Sequence, residues 1–116
     1  MNKNTVSSAV ACRKFVNQYP RIEPHIVLLT PNTAVLGTYV EVQISGVNFS
    51  RSGPTGFSTV NFGSIKNIPT NFYSSLNISF VVPVIGVTAG TYDIQVVNNI
   101  YPTSLYSNKV PFTLTL

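Results

Sequence analysis

From His25 to Leu116 the chain repeats one pattern: apolar and polar residues alternate with a period of two, broken every few residues by glycine, proline or asparagine. Successive side chains of a β-strand point to opposite faces, so this pattern describes short strands with one side in a core and one in water. Ile26-Val27-Leu28-Leu29 forms a first strand, stopped by Thr30-Pro31-Asn32. Val40, Val42 and Ile44 then alternate with Tyr39, Glu41, Gln43 and Ser45, and Gly46 and Asn48 end that strand, leaving Phe49 to fold back onto the core. Ser50 to Gly56 holds Ser52, Gly53 and Pro54 and reads as a loop. Val60 and Phe62 flank Asn61 ahead of Gly63. Ile65 and Ile68 begin a segment that Pro69 confines to a sheet edge or to irregular structure, because proline has no N–H to give to a ladder. Leu76, Ile78, Phe80 and Val82 alternate up to Pro83. Tyr92, Ile94 and Val96 follow the turn Thr88-Ala89-Gly90, and Val110, Phe112, Leu114 and Leu116 end the series.

About seven antiparallel strands with short turns and no substantial helix predict an all-β sandwich rather than a parallel α/β sheet. The chain has one cysteine, Cys12, so it forms no internal disulfide and no cysteine-based metal site. Packing of the inward residues must hold the fold by itself.

Residues 1–24 are different in kind. They show no strand alternation, offer only Val6, Ala9, Val10 and Phe15 as a short apolar stripe, and end in Tyr19-Pro20 and Glu23-Pro24, which favour extended or turn backbone. Lys3, Arg13, Lys14 and Arg21 against Glu23 put +3 of the net charge of +4 in this segment. It is expected to be a basic N-terminal arm, flexible alone or ordered by a partner, preceding a sandwich over residues 25–116. Within the sandwich Arg51, Lys66 and Lys109 face Glu41 and Asp93, leaving +1. Nucleic-acid binding needs clustered cations to neutralise several phosphates, so this charge disfavours it and leaves only weak, salt-sensitive contact through the arm. Ala9-Val10-Ala11-Cys12 is similar to a bacterial lipoprotein processing site. The apolar stretch from Val6 to Ala11 is interrupted by Ser7 and Ser8, however, and falls short of the roughly 7–15 apolar residues of an export signal. No segment approaches the ~20 apolar residues of a membrane span.

Several segments, in order, resemble the IPT/TIG family, the immunoglobulin-like domains of plexin-type receptors, Rel-type transcription factors and many bacterial surface proteins. The opening Pro24-His25-Ile26 through Leu29-Thr30-Pro31-Asn32, followed by Gly37-Thr38, is similar to the family's first strand and turn. Val42-Gln43-Ile44-Ser45-Gly46-Val47-Asn48-Phe49, Val60-Asn61-Phe62-Gly63 and Ile78-Ser79-Phe80-Val81-Val82-Pro83 resemble its following elements. Ala89-Gly90-Thr91-Tyr92-Asp93-Ile94-Gln95-Val96-Val97-Asn98 is the most specific match, and Ser107-Asn108 with Phe112 closes the set. The turn Thr33-Ala34-Val35-Leu36-Gly37 carries less glycine than the family's, and Ser50–Ser58 and Ile65–Ser75 depart from it in content. The resemblance implies an immunoglobulin-like β-sandwich and leaves function open, since a fold hosts many sites. Gly46 and Gly63 are expected at turns. Tyr92 stands where sandwich domains place a corner tyrosine whose hydroxyl bonds to backbone.

Acid–base or nucleophilic catalysis needs a base and a positioned partner. His25, the single histidine, stands at a strand boundary, and Glu41 and Asp93 lie on outward positions of different strands. The expectation is therefore a chain that is no enzyme, takes no cofactor, metal or small-molecule substrate, and partners other protein subunits. The sequons at Asn48 and Asn77 read as chance occurrences in an Asn/Ser-rich chain. Only 9% of residues are charged, against about 25% in an ordinary globular chain, which suits a surface packed against neighbours. That composition points to a small subunit of a larger assembly, such as a minor capsid or decoration protein of a virion; a bacterial surface or adhesion module is the alternative. The expected partner contacts are Lys3, Arg13, Lys14, Phe15 and Arg21 of the arm and the outward tyrosines Tyr39, Tyr73, Tyr101 and Tyr106, tyrosine being enriched at interfaces.

Overall fold

The computed structural model describes residues 23–51, 57–99 and 104–116. The arm's residues 1–22 lie outside them. The described residues are all-β: β1 (His25–Thr30), β2 (Thr33–Val35), β3 (Glu41–Val47), β4 (Phe57–Phe62), β5 (Ile65–Pro69), β6 (Asn71–Ser74), β7 (Asn77–Val81), β8 (Gly90–Asn99), β9 (Leu105–Tyr106) and β10 (Val110–Thr115). They form two sheets. One has the order β1-β3-β7-β6; the other runs β2-β10-β8-β4-β5, with β9 beside β8.

This count corrects the expectation of about seven strands, the additions being β2, β6 and β9. Nor is every pair antiparallel, because β2 lies parallel to β10. The cause is local: Asn32 O accepts from Thr113 N–H at 3.1 Å, and Leu36 N–H donates to Thr115 O at 2.7 Å, tying both ends of a three-residue strand to the last one. Pro69 does end an edge strand, β5.

The alternating residues meet as the period requires. Val42 pairs with Phe80 and Ile44 with Ile78 in one sheet, Val60 with Val96 and Phe62 with Ile94 in the other, all essentially without exposure. Phe112, Leu114, Ile26 and Leu29 complete a single core between the sheets, and Phe49 folds back into it. The Tyr92 hydroxyl donates to Thr88 O at 2.7 Å and accepts from Thr88 N–H at 3.0 Å, the corner bond expected of that position. Gly63 occupies a turn at φ +59, with the Tyr92 ring against it. Gly46 is not at a turn: it lies inside β3, opposite Ile26, where two backbones approach closely.

One side chain joins the sheets at the edge of β1. Asn108, ahead of β10, accepts from Ile26 N–H at 2.8 Å and donates to Ile26 O at 3.0 Å, taking both backbone groups as a neighbouring strand would. Asn108→Ala leaves both unpaired and is expected to cost about 2 kcal/mol, read as a lower urea midpoint at unchanged slope.

Candidate interaction site

The chain passes from one sheet to the other at Thr70, between β5 and β6. The two edges diverge there and leave a hollow of about 650 Å³, within the size range of small-ligand and side-chain pockets. Its walls are Phe57 on β4, Pro69 on β5, Phe72 on β6 and Arg51, whose guanidinium lies 5.2 Å from the centre of the Phe72 ring. Phe57 is half exposed, although its neighbours along β4 are all buried.

The polar floor is held by its own bonds. Ser58 N–H donates to Ser50 O at 2.7 Å, and Ser50 N–H to Ser58 Oγ at 2.8 Å, fastening the segment that carries Arg51 to β4. Ser58 Oγ donates in turn to Asn98 Oδ1 at 2.6 Å, and Asn98 Nδ2 to Asn48 O at 2.8 Å. Asn99 Nδ2 reaches Phe57 O at 3.0 Å and Thr59 Oγ1 at 3.1 Å, and Thr70 Oγ1 donates to Ser58 O at 2.8 Å. The aromatic walls therefore stand on a fixed base, and ordering them on binding costs little. Aromatic and arginine side chains around a preformed hollow are the chemistry of a protein interface core.

The expected contact residues are distributed differently. Lys3, Arg13, Lys14, Phe15, Arg21 and Tyr101 lie outside the described residues. Tyr39 is exposed between β2 and β3. Tyr73 is exposed on β6 in the four-stranded sheet, and Tyr106 on β9 in the other. Tyr73 and Tyr106 thus belong to different sheets, and the Tyr73 hydroxyl reaches Glu41 at the start of β3, two residues beyond Tyr39. Phe57, Phe72 and Arg51 were not legible as a group, because each comes from a different segment and only the β4–β5–β6 path unites them.

The outer face of the four-stranded sheet carries a second polar group of residues. Glu41 accepts from Ser79 Oγ at 2.5 Å, and from Asn71 Nδ2 and Tyr73 OH at 3.3 Å each. The Ser79 hydroxyl is the chief reason its carboxyl titrates below the ordinary 4.5; partial burial opposes this, and Asn71 and Tyr73 add to it. A lowered folded value stabilises the protein above the unfolded value, and that stability is lost as pH falls through the folded one. Ser79→Ala is expected to move the Glu41 carboxyl upward toward 4.5 in a carbon-detected NMR titration and to shrink the loss of stability in acid. Asp93 lies on β8, in the other sheet.

No helix among the described residues is long and apolar enough to cross a membrane. No protein-family model matches the chain, and a search of the curated proteins finds no relative.

Proposed function

We propose that this chain is a non-enzymatic structural and interaction module, an immunoglobulin-like sandwich of the IPT/TIG type, serving as a small subunit of a larger assembly such as a minor capsid or decoration protein of a viral particle. The observation that carries the reading is the hollow walled by Phe57, Phe72, Pro69 and Arg51, which offers a prepared seat for an apolar side chain of a neighbouring subunit. A half-exposed phenylalanine on an otherwise buried strand has no role in the core, and covering it removes apolar surface from water. The sparsely charged composition supports a surface designed to be covered.

The test is sedimentation of extracts from cells that make the chain in its natural background. The natural chain is expected to travel with a large particle. Phe57→Glu is expected to move to the light fractions while its unfolding free energy, from urea titration, stays within about 0.5 kcal/mol of the original, as for a surface substitution. A natural chain that sediments as a free monomer would contradict the proposal.

A further inference from the structure

The outer face of the larger sheet holds two adjoining hollows, of about 300 and 340 Å³, that share Asn61, Lys66 and Gln95. They extend along β8 from Thr91 at one end, past Val97 beside Tyr106, to Asn99 at the other. At about 3.3 Å per residue that is roughly 26 Å of trough, longer than one sugar ring.

Asn61 lies at its centre. It is 5% exposed, on the outward side of β4 between the core residues Val60 and Phe62. Its Oδ1 accepts from Asn67 N–H at 3.2 Å, but its amide nitrogen donates to no group among the described residues. The only buried side-chain N or O atom without a partner among those residues is Asn77 Oδ1, so the Asn61 amide nitrogen keeps access to the hollow it lines. A donor fixed at the floor of a hollow and uncommitted within the protein is open to water or to an acceptor of a ligand that displaces it.

We infer that this trough is a binding site for a neutral oligosaccharide, with Asn61 and Gln95 bonding to hydroxyls and the Tyr106 ring beneath a sugar face. A carboxamide presents donor and acceptor together, and so does each hydroxyl of a sugar, so amides pair with adjacent hydroxyls in either sense. Gln95 is already oriented, its Nε2 donating to Ser107 O at 3.0 Å and leaving the carbonyl oxygen as an acceptor. Tyr106 is 57% exposed and paired with Val97, an apolar plate with a hydroxyl at its tip. Lys66 and Lys109 on the rim are offset in part by Asp93, leaving a single net positive charge, and the buried group at the centre is an amide rather than a cation, which favours a neutral ligand over an anion. The trough adjoins the seat at Phe57, the two sharing Asn67 and Asn99 in their walls, but its ligand contacts at Asn61, Gln95 and Tyr106 are not part of that seat.

The test is an NMR titration of the nitrogen-15-labelled full chain with maltohexaose, cellohexaose and the hexamer of N-acetylglucosamine. Each is added to about 10 mM, near saturation for a ligand of about 1 mM Kd. At least one is expected to shift the side-chain amide signals of Asn61 and Gln95. Tyr106→Ala, at an exposed position, and Asn61→Leu are each expected to weaken it about tenfold or more, with the remaining spectrum dispersed as before. No shift with any of the three, shifts confined to other residues, or unchanged affinity in Tyr106→Ala would overturn the assignment. So would binding restricted to a sulfated heparin hexasaccharide, which would make the rim lysines an anion site.

Discussion

Gly46→Ala is expected to destabilise the protein by about 3 kcal/mol or more, at the upper end of what one added methyl group costs in a packed interior. Gly46 occupies an inward position of β3, directly opposite Ile26 of β1. A β-carbon there would collide with the carbonyl oxygen of His25, stand 2.7 Å from the Phe49 ring and lie 3.1 Å from the His25 carbonyl carbon. The ring can turn aside, but the carbonyl belongs to a strand fixed on one side by β3 and on the other by Asn108. Relief therefore requires the two strands to separate, with loss of ladder bonds as well as packing. Gly37→Ala is the control. Gly37 has φ +84 but nothing within 4 Å of its would-be β-carbon, so only the left-handed backbone is strained, at about 1–2 kcal/mol. Urea unfolding of both variants measures the difference. A cost for Gly46→Ala no greater than that for Gly37→Ala would mean that β1 and β3 are farther apart than described.

Phe62→Ala is expected to cost about 3–5 kcal/mol, the range for truncating a buried phenylalanine. The residue is fully buried on β4 and touches rings from both sheets. Tyr92 stacks on it at 4.7 Å, Phe112 meets it edge-on at 5.8 Å, and Phe80, across the core on β7, does so at 6.3 Å. Removing the ring leaves a void bordered by three others that cannot all close on it. It also frees the Tyr92 ring whose hydroxyl holds the corner at Thr88. Domains of this kind are stable by about 5–15 kcal/mol, so much of the fold's margin is at stake. Phe62→Leu keeps most of the volume and is expected to lose less than half as much. Thermal unfolding followed by near-ultraviolet circular dichroism separates the two, and equal losses would show that the rings' edge and stacking contacts matter more than volume.

What the sequence made legible follows from how strongly each segment alternates. β3, β7, β8 and β10 each place two or more large apolar residues on one face, and a period-two pattern of that length has few other readings. Tyr92 was readable as a corner because its position after Ala89-Gly90 fixes where its hydroxyl falls. β2, β6 and β9 were not readable. Ala34 is the only buried residue of β2, β6 has only the half-buried Phe72, and β9 is two residues long. Strands this short owe their place to neighbours rather than to their own pattern. Gly46 misled for a related reason: a glycine suggests a turn, whereas here it answers a close approach between strands remote in sequence. The hollow at Phe57 and the trough at Asn61 were illegible alike. Each is assembled from residues ordinary in isolation, and what distinguishes Asn61 is burial, which a single asparagine between two apolar residues does not announce.

A subunit seated on the face around Phe57, as proposed, would bring its own residues within reach of that side chain. Photo-cross-linking detects such a neighbour, with benzoylphenylalanine at position 57 of the full chain, irradiated in the cells where the assembly forms, and a second variant carrying it at Lys109 as control. One dominant cross-linked species is expected from position 57, the same in every preparation, diminished when Arg51→Ala is added and absent from position 109. A similar scatter of products from both positions would contradict it.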